Sequence, residues 1–296
     1  MQNKKQSKKM EGYVVHMKEI ECKKITEAVK GLCLAANTVL GADVENAIRT
    51  AEKEETSPLG KKVLGQLTAN LDIAKNELIP ICQDTGMAIL FVKVGQEVHV
   101  TGGNLTDAIN QGVREGYTEG YLRKSVVSDP LLRVNTGDNT PAIIHYDIVP
   151  GDKLDIMLAP KGFGSENKSK LYMLTPADGR EGVKKAVIDA VTTAGPNACP
   201  PMVVGVGIGG DFEKCAILAK TALTRDITTF SEKEHIKELE IELTNELNEL
   251  GIGPGGMGGV TTVLGVNIET YPTHIAGLPV AVNICCHVNR HKSISL

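Results

Sequence analysis

Tryptophan is absent from this 296-residue chain, and phenylalanine and tyrosine number only 4 and 6. Single-stranded nucleic acids are gripped by stacking bases on aromatic rings, so this scarcity argues against that class of partner. A dominant charge is lacking too. Lys plus Arg is 32 against 36 Asp plus Glu, a net charge of −4, which disfavours nucleic acid or an anionic membrane surface as the main partner. No apolar run reaches the ~20 residues of a membrane span. Met1 to Met10 is rich in Lys and Gln with no apolar segment behind it, so it is not read as a secretory signal. No C-x-x-C pair occurs among the 7 cysteines, and their odd number argues against a pure disulfide framework. A reducing compartment and a cytoplasmic location are therefore expected.

What remains is an ordinary globular composition, 42% apolar and 23% charged, with 31 glycines gathered in clusters. The expected architecture is mixed α/β: an N-terminal helical region packed on a central mixed β-sheet with surrounding helices, in one large domain over residues 15–292 behind a frayed tail at 1–14. Residues 14 to 76 read as helices, with Ile25, Val29, Leu32, Ala36 and Val39 on one face. Asn104 is expected to cap a helix facing the core with Leu105, Ile109, Val113 and Tyr117. Strands are expected at Met87–Val94, Ala142–Val149, Lys153–Leu158, Val203–Ile208, Val260–Ile268 and Pro279–Cys285. Glu232 to Leu250 repeats Leu and Ile at helical spacing, which reads as a surface helix with one buried face or, with less support, a partner-binding zipper.

Cys22, Cys33 and Cys215 sit on expected helices among apolar neighbours and read as buried thiols. Cys82, Cys199, Cys285 and Cys286 fall instead at loop edges beside Pro, Gly, Asp or His, where scaffolds concentrate chemistry. Three loops each offering one thiolate could hold an iron–sulfur cluster, though spacing alone supports this weakly. Cys286, His287 and His291 invite a zinc reading, that of a hydrolase or deaminase, because the histidines stand at i, i+4. Asp84 is either a turn former or an acid–base group, His274 either a structural loop residue or a catalytic one. Arg123 either complements a helix end or grips a carboxylate. Gly205, Gly207 and Gly210 fit a dinucleotide fingerprint literally, but no acidic residue ends a following strand at the right distance.

Taken together, six segments resemble the class I fumarate hydratases. They are Pro80-Ile81-Cys82-Gln83-Asp84-Thr85-Gly86, Leu122-Arg123-Lys124-Ser125, Lys161-Gly162-Phe163-Gly164-Ser165-Glu166-Asn167, Asn197-Ala198-Cys199-Pro200-Pro201, Gly251-Ile252-Gly253-Pro254 and Tyr271-Pro272-Thr273-His274-Ile275-Ala276-Gly277. The chain is most similar to the separate alpha subunit of the two-subunit form, a group that includes the tartrate dehydratase alpha subunit. The resemblance implies an oxygen-sensitive [4Fe–4S] cluster held by Cys82, Cys199 and Cys286, with Cys285 as the alternative third ligand. It implies a small dicarboxylate substrate, fumarate and L-malate first, with tartrate or mesaconate as alternatives. Gln83, Arg123, Gly162 and Gly164 match substrate-binding positions, and Asp84 and His274 catalytic ones. Phe163 departs from the three successive glycines that other members often carry. The chain stops at Leu296, so a separate beta subunit is expected to complete the site, within a higher oligomer.

Overall fold

A computed structural model describes residues 17–296, and the tail expected over 1–14 therefore lies outside the described residues. The described residues do not open in the helix that the sequence suggests over this region. They open with a short strand, β1 (Lys18–Glu21), followed by α1 (Cys22–Thr38), α2 (Ala42–Glu54) and α3 (Pro58–Glu77). Next come β2 (Met87–Gly95), β3 (Val98–Thr101), α4 (Leu105–Glu119), β4 (Ile143–Val149) and β5 (Leu154–Lys161). A single helical turn, α5 (Phe163–Glu166), occupies the middle of what reads in sequence as a glycine-rich loop. The remainder is β6 (Lys170–Leu174), α6 (Gly179–Ala194), β7 (Met202–Gly210), α7 (Phe212–Ala222), α8 (Glu234–Glu249), β8 (Val263–Thr273), β9 (Leu278–Cys285) and β10 (Lys292–Ser295). Mixed α/β architecture is thus confirmed, with the main strands divided between two four-stranded mixed sheets.

The first sheet has the order β10-β5-β2-β4, with β4 parallel to β2 and β5 antiparallel to it. Hydrophobic residues two apart on β2 (Ala88, Leu90, Val92) and β5 (Leu154, Ile156, Leu158) face α1 and α4. Asn104 caps α4 as expected, its side-chain oxygen accepting from the backbone N–H of Thr106 at 2.8 Å. The second sheet has the order β6-β9-β7-β8. Val183, Val187 and Val191 of α6 and Ile236, Leu239, Leu243 and Leu247 of α8 cover one face of it. The periodic stripe of α8 is therefore spent inside its own chain, which settles it as a surface helix rather than a zipper. Burying each such Leu contributes roughly 1.5–3 kcal/mol. Glu240 shares this buried face and is matched there by Arg225.

The other face of the second sheet carries α7. A Cβ on Gly205 would stand 2.2 Å from the carbonyl oxygen of Ala219, and one on Gly207 2.0 Å from that of Cys215. These glycines let a helix backbone touch a strand backbone, which accounts for the spacing that mimics a dinucleotide fingerprint. A third, smaller core joins α2 and α3 through Val44, Ile48, Leu64 and Leu71 to Ile81 and Val288, with Cys82 and Cys286 packed against it. Among the described residues no helix is long and apolar enough to cross a membrane.

Candidate functional site

The start of β2 and the end of β5 lie together, Met87 opposite Lys161. The start of β7 and the end of β9 lie together likewise, Val203 opposite Cys285. The site forms where these two sheet ends meet the α2–α3 core, and loops from all three supply it.

Cys82 and Cys286 pack against the same small core. Cys199 is close enough to Cys82 for that sulfur to act on its ionisation; partial loss of hydration and then Cys82 both raise the Cys199 thiol. The carbonyl of Cys199 also receives a ring nitrogen of His287 at 3.1 Å, tying the Cys199 loop to the residue after Cys286. Cys199 itself is exposed, in the left-handed region at φ +54°. All seven cysteines are free. Cys285 and Cys286 are consecutive and diverge: Cys285 is buried with Val203 and Leu223 on the α7 side of the sheet, whereas Cys286 turns to the Cys82 side. The neighbouring Cys286 thiol and the Lys161 and Arg290 cations draw the Cys285 thiol below its ordinary value against the effect of burial.

Asp84 occupies the turn two residues after Cys82. Its carboxylate accepts from the backbone N–H of Gly86 at 3.0 Å and from that of Phe163 at 3.0 Å. Its own carbonyl accepts from Arg290 at 2.5 Å. A Cβ at Gly162 would sit 3.0 Å from the Asp84 carboxylate, so a larger residue there would press on it. Arg123 adjoins the same turn, because its carbonyl accepts from the Thr85 hydroxyl at 3.2 Å, and its side chain is exposed. Gln83 is exposed beside it, and Gly164 has open space above its Cα. The structure thus brings together Cys82, Cys199, Cys286, Gln83, Asp84, Arg123, Gly162 and Gly164.

His274 stands apart. It follows β8, whose end pairs with the end of β7 at Gly210–Thr273, while Cys199 precedes the start of β7. The nine residues of β7 separate them by roughly 25–30 Å at ~3.3 Å per residue. His274 lies with Asp211, Lys214 and Tyr271 around a cavity of about 550 Å³.

Several supporting residues carry no obvious sequence signal. Asn139 is fully buried; its amide donates to the Gly86 carbonyl at 3.2 Å and accepts from the Ser125 N–H at 2.7 Å, joining the Arg123 segment to the Asp84 turn. Lys161 is buried, donates to Ser165 at 2.9 Å and pairs with Glu166 at 3.3 Å; Lys220 of α7 pairs with the same carboxylate. Glu55 accepts backbone N–H bonds from Thr56, Ser57, Val260 and Thr261, fastening the glycine-rich 251–262 segment to the α2–α3 junction.

Residues 286–291 are not helical, so His287 and His291 do not share a helix face, and the zinc reading loses its geometry. Among the described residues no group of three His, Cys, Asp or Glu is set to hold a single metal ion. The three thiols are soft donors whose chemistry suits a thiolate-seeking group. Arg290 fits that environment. It is buried, and its Nε and Nη1 have no hydrogen-bond partner, leaving three N–H donors and a positive charge beside the sulfurs.

Comparison with known proteins agrees. The family described as fumarate hydratase (Fumerase) matches residues 26–295. A Methanocaldococcus jannaschii protein provisionally named L(+)-tartrate dehydratase subunit alpha is 41% identical over 273 residues, 90% of this chain and 95% of the relative. The L(+)-tartrate dehydratase subunit alpha of Escherichia coli UTI89 is 35% identical over 275 residues, 92% and 90% of the two chains. That of strain K12 is 34% identical over 277 residues, with the same coverage.

Proposed function

This chain belongs to the fumarate hydratase (Fumerase) family, and on that premise we propose that it is the alpha subunit of a two-subunit [4Fe–4S] hydro-lyase interconverting fumarate and L-malate. The observation that carries the reading is the convergence of three free thiols on Asp84 and on the buried guanidinium of Arg290, two of whose nitrogens have no partner. Cys82, Cys199 and Cys286 would hold the cluster. Its orientation away from Val203 and Leu223 favours Cys286 over Cys285. With three protein ligands the cluster supplies, when bound, one open iron as a Lewis acid for the hydroxyl that leaves malate.

The chain's own groups do the rest. Arg123 is the exposed cation at the rim and pairs with one carboxylate of the dianionic substrate, while Gln83 offers an amide beside it. Gly162 and Gly164 present backbone to the substrate. Asp84 holds or passes a proton at its carboxylate, which the two backbone N–H bonds keep in one orientation. His274 lies too far away to reach the same substrate within one chain, so it acts there only where another chain carries it in. The names of the relatives specify an alpha subunit, and we read this chain likewise as requiring a beta subunit, which would supply the remaining substrate contacts.

Those same names favour a second reading, dehydration of L(+)-tartrate, which differs from malate by one hydroxyl. Anaerobic co-expression with a beta subunit, followed by parallel assays on malate, fumarate and tartrate, separates the two. Preferential turnover of malate and fumarate supports the first. Selective turnover of tartrate replaces it with the second. A loaded complex idle on all three overturns the hydro-lyase reading.

A further inference from the structure

Cations set into this fold are met by acids. Lys161 pairs with Glu166 at 3.3 Å, Lys220 with the same carboxylate, and Arg225 with Glu240 and, at 3.0 Å, with Glu269. Arg290 differs. It is 4% exposed, and among the described residues no carboxylate pairs with it. Its Nη2 donates to an uncharged group, the Asp84 carbonyl, at 2.5 Å, while Nε and Nη1 have no partner. A guanidinium taken out of water and held by one carbonyl is costly, and only an anion close by offsets that cost. The nearest candidates are the thiols, because its charge bears on the sulfurs of both Cys285 and Cys286. The other basic side chains at this spot are engaged elsewhere: His287 meets the Cys199 carbonyl at 3.1 Å, and Lys161 meets Glu166.

We infer that Arg290 is the counter-charge of the cluster site: its guanidinium donates to the sulfurs of the bound cluster, balances their negative charge and so sets the reduction potential. This rests on the cluster reading given above. Three thiolates outweigh the charge of an iron–sulfide core and leave the whole anionic, and a dianionic substrate adds to the excess. Nearby charge and hydrogen bonds to sulfur are the levers by which a protein moves a cluster's potential. Through Nη2 the same side chain holds the Asp84 turn, so cofactor and carboxylate share one anchor.

The test compares Arg290→Gln and Arg290→Lys with the wild type, both as the anaerobically reconstituted complex with the beta subunit and as the cofactor-free chain. Potentials are read by redox titration followed by electron paramagnetic resonance. Arg290→Gln removes the charge and is expected to disfavour the reduced cluster about tenfold or more, a fall of about 59 mV or more for a one-electron couple. Arg290→Lys keeps the charge and is expected to recover more than half of that fall. Without cofactor, Arg290→Gln relieves a buried charge and is expected to melt at or above the wild type. An Arg290→Gln cluster at the wild-type potential overturns the inference. So does a cofactor-free Arg290→Gln that melts several degrees lower or does not fold, since the guanidinium would then serve the Asp84 turn alone. Should Arg290→Gln fail to keep iron and sulfide, retention by Arg290→Lys supports the inference and loss in both overturns it. A wild type that takes up no iron and sulfide defeats the cluster reading and this inference with it, whereas a wild type that loads leaves that reading standing however the variants behave.

Discussion

Exchanging Cys285 and Cys286 for serine one at a time separates a ligand from a packing residue. Cys285 is 4% exposed, with Val203 and Leu223 around it. Burying a more strongly hydrated hydroxyl in place of the sulfur costs about 1–3 kcal/mol. For a chain of this size each kcal/mol moves the melting temperature by roughly 2–4 °C, so Cys285→Ser is expected to melt about 2–12 °C lower. Anaerobic reconstitution should nevertheless load it with iron and sulfide as fully as the wild type. Cys286→Ser removes one of three thiolates and leaves the β9 packing alone. Its melting temperature without cofactor is expected to stay within a few degrees, while bound iron, visible absorbance and turnover fall to background. The lowered ionisation of Cys285 makes this a demanding contrast, since the more acidic thiol is the one assigned to packing. Full iron retention in Cys286→Ser with loss in Cys285→Ser would refute the reasoning.

Asp84→Asn keeps an acceptor for one backbone N–H but cannot exchange a proton; turnover is expected to fall about 10²–10⁴-fold with iron content unchanged, and a matching loss of iron would make Asp84 structural. Glu240 is fully buried against Arg225, and its carboxylate also accepts from the Ile268 N–H at 2.7 Å. Glu240→Ala leaves Arg225 with Glu269 as its acid partner but strips the Ile268 and Ser231 N–H groups of their acceptor, and is expected to cost about 1–3 kcal/mol in denaturant unfolding; a loss below about 0.5 kcal/mol would disprove the carboxylate's role. Partial burial pushes Asp138 up, but Arg114 and Thr140 outweigh it and hold the carboxyl at about 2, below its ordinary 3.8. Its contribution is complete above the ordinary value and vanishes as pH falls through the folded one. Asp138→Asn is therefore expected to remove about 1 kcal/mol at neutral pH and to flatten the stability loss between pH 4 and 2, visible in melts across that range.

Where local pattern alone dictates structure, the sequence was readable. The stripes of α1, α4 and α8 emerge as buried faces, and Asn104 caps α4, because both depend on residues within a few positions of one another. The strand Lys18–Glu21 was unreadable: it buries only Ile20, and its partner lies some eighty residues on. β6 and β10 are likewise short pieces fixed by a neighbour rather than by their own alternation. The same holds at the site. No spacing rule joins Cys82, Cys199 and Cys286, and only the family resemblance grouped them. That grouping also included His274, which the parallel register of β7 and β8 carries to the opposite end of the sheet. Asn139, Glu55 and Lys220 gave no sign in advance, and the pairing of Lys161 with Glu166 inside the 161–167 segment gave none either, since a buried polar residue is recognisable only once its partners are in place.

The seam between β7 and α7 has a consequence for inheritance. With the helix resting directly on Gly205 and Gly207, even one methyl group there levers α7 outward, and Lys220 travels with it, away from Glu166 and the Lys161 segment. Conditional alleles, sound when cool and failing when warm, are accordingly expected to map to these two glycines, with compensating changes arising along Cys215 to Leu223 rather than near the thiols.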